Sequence, residues 1–283
     1  MRFLKEIKIL SWWQVKYYLQ YTKFRHRLPN IKNPRDYSEF IFRDNLLQRH
    51  NFHAYLADKY AVRKYVEERG LGSLLTKLYG VWEDVSKIDF EKLPKQFVLK
   101  YNHSSGMNIV CYDKSKLNIE DTIRQLSTWG DMKHPIRFES HYFGIKPLII
   151  CEELIPNNDD GYFPIDYKIH CANGKAIFIQ CCFERDARDE SKMVAYTPSW
   201  EKKDYIRRTI HYSDATLQEP KHLQEMINAA EILSAGLEYA RIDLYDTQDR
   251  IIFGEITLTP QGGWLSNLTD EINTIMGDHI RNK

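Results

Sequence analysis

Two runs near the C-terminal end limit what this chain can become: Tyr239-Ala-Arg-Ile-Asp-Leu-Tyr245 and Ile252-Phe-Gly-Glu-Ile-Thr-Leu-Thr-Pro-Gln-Gly-Gly263. Ile242, Leu244 and Ile251 to Phe253 form an apolar half and Thr247 to Arg250 a polar turn, which predicts two antiparallel strands. Arg241 and Asp243 break the apolar pattern on the first strand, Glu255 and Thr257 on the second. Residues two apart share a strand face, so each pair projects one way. Two carboxylates meeting across an antiparallel pair repel unless a cation lies between them. Their hard oxygens suit Mg²⁺, which usually takes one or two carboxylates and leaves other positions to phosphate and water. Arg241 beside them would grip a phosphate as a planar fork. A surface hairpin with solvated charges also fits this spacing.

A chain of 283 residues can form one large domain or two to three lobes and bury a full core. Lys plus Arg number 40 against 39 Asp plus Glu, so bulk charge argues neither for nor against nucleic acid, and no such partner is expected. The 18 tyrosines suit surfaces that meet sugars, and equally suit large cores. Five cysteines, with Cys181 and Cys182 adjacent, show no C-x-x-C or zinc spacing; free buried thiols in a reducing cytoplasm are expected. His50 and His53 share a helix face and read as a satisfied surface pair. No apolar run approaches the ~18 residues of a spanning helix, and Met1-Arg-Phe-Leu-Lys-Glu lacks the build of a signal peptide, so the expected location is cytoplasmic. In residues 1–28, Arg2, Lys5, Lys8, Lys16, Lys23, Arg25 and Arg27 oppose only Glu6 and alternate with Trp and Tyr. Such an arm either docks on its own protein or lies peripherally at the inner face of the membrane.

Along the chain, Ser38 is the predicted N-cap of a helix to about Arg49, and one helix follows from about Ala54 to Glu68. Leu78–Trp82, Phe97–Lys100 and Asn108–Tyr112 read as strands. The tip Tyr101-Asn-His-Ser-Ser-Gly106 could fold its N–H groups over an anion, or be an ordinary hairpin. It lacks the Gly-Lys-Ser/Thr ending of a Walker loop. Ile119–Trp129 reads as a helix, Pro147–Pro156 as a buried strand running into Glu152-Glu153, and residues 165–171 with 175–183 as a strand pair. Glu184 to Glu190 is a charged connection. Helices are predicted over 220–236 and from about Thr269.

The order of these pieces carries a resemblance. Asp58-Lys59-Tyr60 precedes Phe97-Val-Leu-Lys100 and the Ser-Ser-Gly loop; Glu152-Glu-Leu-Ile155, Asp166-Tyr-Lys168, Arg241-Ile-Asp243 and Gly254-Glu-Ile-Thr-Leu-Thr-Pro-Gln-Gly-Gly263 follow. The series, over roughly residues 55 to 265, resembles the ATP-grasp ligases. Leu56-Ala-Asp-Lys-Tyr-Ala-Val-Arg63, Lys100-Tyr-Asn-His-Ser-Ser-Gly106, Asp166-Tyr-Lys-Ile-His-Cys171 and Gly254-Glu-Ile-Thr-Leu-Thr-Pro260 are similar to the teichuronopeptide-biosynthesis (TupA-like) branch, linked to bacterial surface polysaccharides.

That resemblance implies an α+β ATP-grasp fold, two α+β lobes with the nucleotide between them, plus a helical N-terminal arm. The division is 1–52 for the basic, aromatic arm, 53–153 for the lobe with the phosphate-covering loop, and 154–283 for the lobe with the metal site. The implied cofactors are ATP and Mg²⁺. Lys59 and Lys100 would contact phosphates, and Ser104, Ser105 and Gly106 would close over them. The backbone of Glu152, Glu153, Leu154 and Ile155 would hold adenine, Asp166 the ribose or metal side, and Lys168 the phosphates. Arg241 would face the transferred phosphoryl group, so Arg241, Lys168 and Lys100 form the implied catalytic set, with Asp243 and Glu255 on the metal. Thr257 stands where the family usually has a third ligand, Asn; its hydroxyl could hold the metal or a metal-bound water. Gly262 and Gly263 would leave room and N–H groups for the acceptor, and Arg185 and Arg188 would lie near phosphate or an acidic substrate.

The implied chemistry is ADP-producing carbon–nitrogen ligation. A carboxylate is a poor electrophile, but its acyl phosphate can be attacked by an amine, and phosphoryl transfer asks the protein mainly for positioning and charge neutralisation. The expected partners are an amino acid or other amine and a uronic acid carboxyl on a capsule, O-antigen or teichuronic-type glycan, or on its lipid- or nucleotide-linked precursor. Alternatives are a sugar kinase or glycosyltransferase of the same pathway, and a non-catalytic binding protein. No Asp-x-Asp sugar-nucleotide motif is evident, and intact Lys100, Asp243 and Glu255 argue against decay.

Overall fold

The computed structural model describes residues 11–103, 106–130, 139–156, 162–185, 191–247 and 249–282. Two antiparallel sheets organise them. The smaller contains β1 (Leu78–Trp82), β2 (Phe97–Tyr101), β3 (Asn108–Cys111) and β4 (Ile149–Glu152), in the order β1-β4-β2-β3. The larger contains β5 (Asp166–Ala172), β6 (Lys175–Phe183), β7 (Lys192–Tyr196), β8 (Lys202–Lys203), β9 (Tyr239–Asp246) and β10 (Ile251–Thr257), in the order β10-β9-β5-β6-β7-β8. The helices are α1 (Trp12–Arg25), α2 (Tyr37–Leu46), α3 (Ala54–Ala57), α4 (Val62–Glu68), α5 (Ile119–Gly130), α6 (Leu223–Ser234) and α7 (Asp270–Arg281).

Strand alternation distributes the core. On the small sheet Phe97, Leu99, Ile149 and Cys151 pack on Leu126 of α5. One face of the large sheet sets Ile169, Ile179, Ile242 and Leu244 against Met226, Ala230 and Leu233, which recur at helical spacing along α6. Leu56, Val62, Val66 and Leu74 join that same core. Residues 54–75 therefore pack on the large sheet, whereas the sequence division placed them with the first lobe. The opposite face carries α2 and α7, whose Tyr37, Ile41, Ile272 and Met276 cover Phe178 and Tyr239.

The described part of the N-terminal arm docks on its own protein, whereas Arg2, Lys5, Glu6 and Lys8 lie outside the described residues. Tyr17 and Tyr21 of α1 are fully buried, with ring centroids 4.6 and 4.1 Å from that of Phe42. No helix of the described residues is long and apolar enough to cross a membrane. The five cysteines are buried and unpaired, as expected.

Several local expectations need correction. The N-cap of α2 is Asp36, whose Oδ1 accepts from the Glu39 N–H at 3.0 Å; Ser38 is buried beyond it and α2 stops at Leu46. The helix expected over 54–68 breaks at Asp58, whose carboxylate accepts from the Tyr60 and Ala61 N–H groups at 2.8 and 3.1 Å. Such local bonding competes with the helix and turns Lys59 out of it. His50 is not a surface residue: its Nε2 lies 2.8 Å from the Tyr239 hydroxyl, and burial pushes its pKa down to about 4.

The C-terminal hairpin forms as expected, with one device the spacing did not disclose. Phe253 stands opposite Leu244, yet Glu255 stands opposite Asp243, so Gly254 is an extra residue in a bulge. Without it Glu255 would pair with Ile242 and turn into the apolar core. A Cβ on Gly254 would meet the Asp243 carbonyl oxygen at 3.0 Å and the Tyr245 ring at 3.2 Å. Gly254→Ala is expected to lower stability by about 1–3 kcal/mol through overpacking; urea unfolding of the two proteins measures this, and an unchanged midpoint would contradict it.

Candidate active site

The bulge completes a polar face on the large sheet. Across β5, β9 and β10 the register sets Lys168 beside Asp243 beside Glu255, and His170 beside Arg241 beside Thr257. Arg241 grips both carboxylate oxygens of Asp243 at 2.7 and 2.6 Å and donates to Glu255 Oε1 at 3.1 Å and Thr257 Oγ1 at 2.9 Å. Lys168 Nζ bridges Asp166 at 2.5 Å and Asp243 at 2.7 Å. Lys59 Nζ reaches Glu255 Oε2 at 3.2 Å, and Arg185 lies 3.7 Å from Asp166. The cation that the hairpin's carboxylates require is thus supplied by three side chains. Their guanidinium and ammonium groups are the phosphate-gripping chemistry expected of them.

The electrostatics follow from burial and pairing. Burial works against the charge of Glu255, but Lys59, then Arg241 and Lys168, outweigh it and hold the carboxyl well below the ordinary range. Burial likewise opposes the charge of Lys168, and Asp166 and Asp243 raise it above the usual lysine value. Asp166 moves the other way, raised by its burial against the pull of Lys168. Its Oδ1 is buried with no hydrogen-bond partner.

A second ion-pair group ties the lobes together. Glu152 ends β4 with its Oε2 2.5 Å from Lys100 Nζ and its Oε1 3.0 Å from Arg63 Nη1. The Glu152 backbone is paired on both sides, to β1 and β2, and the Glu153 N–H donates to Lys77 O at 2.9 Å. Leu154 and Ile155, half-buried, lie past the end of this ladder, and the Glu152 side chain carries the ion pairs. The Lys59 N–H donates to Asn102 O at 2.9 Å, so Lys59 joins the small sheet by its backbone and the large sheet by its side chain.

Gly106 is exposed with φ +78°, a turn conformation that favours glycine. Ser104, Ser105 and Arg188 lie outside the described residues. Gly262 and Gly263 are buried, and their carbonyls are held by Tyr17 at 2.6 Å and Ser38 at 2.5 Å. A Cβ on Gly263 would sit 3.1 Å from backbone atoms of Ser38 and Phe42, so Gly263 serves close packing on α2 rather than leaving open room.

Residues that sequence reasoning missed complete the surroundings. Arg63 and Asn102 lie inside quoted motifs, but nothing in their spacing gave them a partner. Glu139, His141 and Tyr142 come from the turn Ser140–Gly144 and the residue before it, where no periodicity points anywhere. Glu139 is 8% exposed and forms no ion pair among the described residues. Burial raises its pKa to about 7; Arg241 pulls the other way and Glu255 adds to the rise.

Among the described residues no three His, Cys, Asp or Glu side chains converge as a metal cage. Asp243, Glu255 and Thr257 instead offer two carboxylates and a hydroxyl, which fits an ion that retains water and phosphate ligands. The orphaned Asp166 Oδ1, beside Lys168 and Arg185, fits a hydroxyl donor or a cation from outside the chain.

Two α+β lobes meeting at this charged face are the ATP-grasp architecture. The chain belongs to the TupA-like ATP-grasp family, whose model matches residues 40–281. No curated protein matches it. Similar solved structures include D-alanine–D-alanine ligase from Bacillus anthracis in complex with ATP, at 15% identity over 80% of this chain and 65% of that one, TM-score 0.45. The ATP-grasp ligase PsnB with its minimal precursor is 11% identical over 80% of this chain and 60% of that one, TM-score 0.42. A RimK-domain ATP-grasp protein from Sphaerobacter thermophilus is 12% identical over 83% and 69%, TM-score 0.46. The chain thus spans less than two thirds of the first two of these proteins.

With a folded pKa of about 7 against an ordinary 4.5, Glu139 favours the folded state as a neutral acid. That contribution is complete below pH 4.5 and is lost as pH rises through about 7. Glu139→Gln is expected to gain on the wild type by on the order of 1–3 kcal/mol between pH 5 and pH 8. Urea unfolding at the two pH values checks this; parallel pH dependences for the two proteins would count against it.

Proposed function

We propose that this chain is an ATP-dependent carboxylate–amine ligase that works through an acyl phosphate and releases ADP. The observation that carries the reading is the gathering of Asp166, Asp243 and Glu255 with Lys59, Lys168 and Arg241 on one face between the lobes. Family membership supports it. Asp243 and Glu255, with Thr257, would hold Mg²⁺, which supplies charge neutralisation at the phosphates. Lys59, Lys100 and Lys168 bind phosphate oxygens, and Arg241 faces the transferred group as a fork. Leu154 and Ile155 offer backbone groups to the adenine, and Asp166 Oδ1 accepts from the ribose. Ser104, Ser105 and Gly106 cover the phosphates, and Arg185 with Arg188 attracts an acidic substrate.

The TupA-like resemblance supports a uronic acid carboxyl as the group activated, within bacterial surface polysaccharide synthesis, and an amino acid or other amine as its acceptor. The protein works in the cytoplasm at the membrane's inner face. There α1 turns Trp12 and Leu19, 80% and 61% exposed, outward with Lys16 and Lys23 along one helix face. Wild type should co-float with vesicles containing phosphatidylglycerol and lose that recovery as Trp12→Ala/Leu19→Ala; equal recovery of the two would contradict membrane contact.

ADP release with Mg-ATP, glucuronic or galacturonic acid and an amino-acid pool tests the activity. ADP should require both carboxylate and amine and fall at least about 100-fold in Glu255→Gln. ADP formed with the sugar alone would instead indicate a kinase, and turnover unaffected by Glu255→Gln would remove the assigned site.

A further inference from the structure

The turn at residues 139–144 holds two polar side chains that the phosphate chemistry does not use. Glu139 is buried to 8% exposure, and among the described residues no Lys, Arg or His lies within ion-pair distance of its carboxylate. Arg241 and Lys59 attract it from further off, Glu255 repels it, and the Gly262 N–H, which donates to Thr259 O at 2.8 Å, also favours its charge. Two residues on, His141 is 1% exposed. Its Nδ1 lies 3.4 Å from Thr259 Oγ1, and its Nε2 is buried without a partner. Burial holds this imidazole neutral, with a pKa near 3. The Tyr142 ring lies against it, tilted by 41° with 4.3 Å between ring centroids.

A buried carboxylate without a cation among the described residues, two residues from a buried imidazole nitrogen without a partner, is an incomplete arrangement. Solvation lost on burial is normally replaced by a charge partner and hydrogen bonds. What would complete it is a compact group that carries positive charge and several N–H donors, with a second polar group within reach of the imidazole. A primary ammonium on a small polar molecule has that chemistry. The turn lies beside Thr259 and Gly262 and in the field of Arg241 and Glu255, so it borders the charged face.

We propose that the 139–144 turn is the recognition site for a primary ammonium group, with Glu139 as its charge partner and His141 Nε2 as a neutral hydrogen-bond partner for a neighbouring polar atom. Resting on the ligase reading, this site assigns the acceptor as a small primary amine that is bound in its charged form. Glu139 is then a specificity-determining residue, selecting ammonium compounds over alcohols and carboxylates of the same size.

Isothermal titration of the full chain with amino acids and ethanolamine, and separately with Mg-ATP, tests this. Wild type should bind at least one of these amines, and Glu139→Gln should weaken that binding about tenfold or more, as loss of a charge-assisted hydrogen bond requires. Glu139→Asp, which keeps the charge, should recover part of it, and Mg-ATP binding should be equal in all three proteins. Equal amine binding in wild type and Glu139→Gln would overturn the site, as would a wild type that binds Mg-ATP but none of the amines. Loss of Mg-ATP binding from wild type would overturn the ligase reading alone, because the amine comparison stands on its own.

Discussion

The structure depends on charge compensation across one sheet face. Three carboxylates, Asp166, Asp243 and Glu255, are brought within a few ångströms by strand alternation and a single bulge, and they are tolerable there because Lys59, Lys168 and Arg241 are interleaved with them. Buried ions gain little net stability from such pairing, but an uncompensated member is costly. On the proposed ligase reading the arrangement serves exchange of partners rather than stability: guanidinium and ammonium groups would pass to phosphate oxygens while the carboxylates pass to a divalent cation, and no charge would be left bare.

Everything around that face serves to hold it. Lys59 joins the lobes because the helix breaks at Asp58 and releases its side chain toward Glu255. Glu152, clamped between Lys100 and Arg63, fixes the end of β4 against the helices that pack on the other sheet. The N-terminal helices reach the same region from behind: Tyr17 and Ser38 bond the carbonyls of Gly262 and Gly263. The arm is thus part of the site's support, with its outward stripe left over for a surface.

Much of this was legible in the residues. Alternation located the strands, and the two-residue spacing of Arg241 with Asp243 and of Glu255 with Thr257 placed each pair on a face. The need for a cation between them was met by Arg241 itself. The bulge was also written in the chain, where the inward apolar residues change parity from Ile251 and Phe253 to Ile256 and Leu258. Reading that change requires knowing which face is the core. Glu139 and His141 were invisible because a turn has no period, and their meaning comes from what lies across space. Ser38 misled because a cap and a buried hydroxyl look alike until the helix start is known. His50 misled because its partner, Tyr239, is distant in sequence.

The central claim is that the compensated face is a nucleotide–metal site. Titrating ATP into the protein with and without Mg²⁺, in wild type and Asp243→Asn, tests it most directly. The account predicts that Mg²⁺ strengthens ATP binding to wild type by at least about tenfold and that Asp243→Asn abolishes that gain. ATP binding of equal strength with and without Mg²⁺, or an equal gain in the variant, would contradict it.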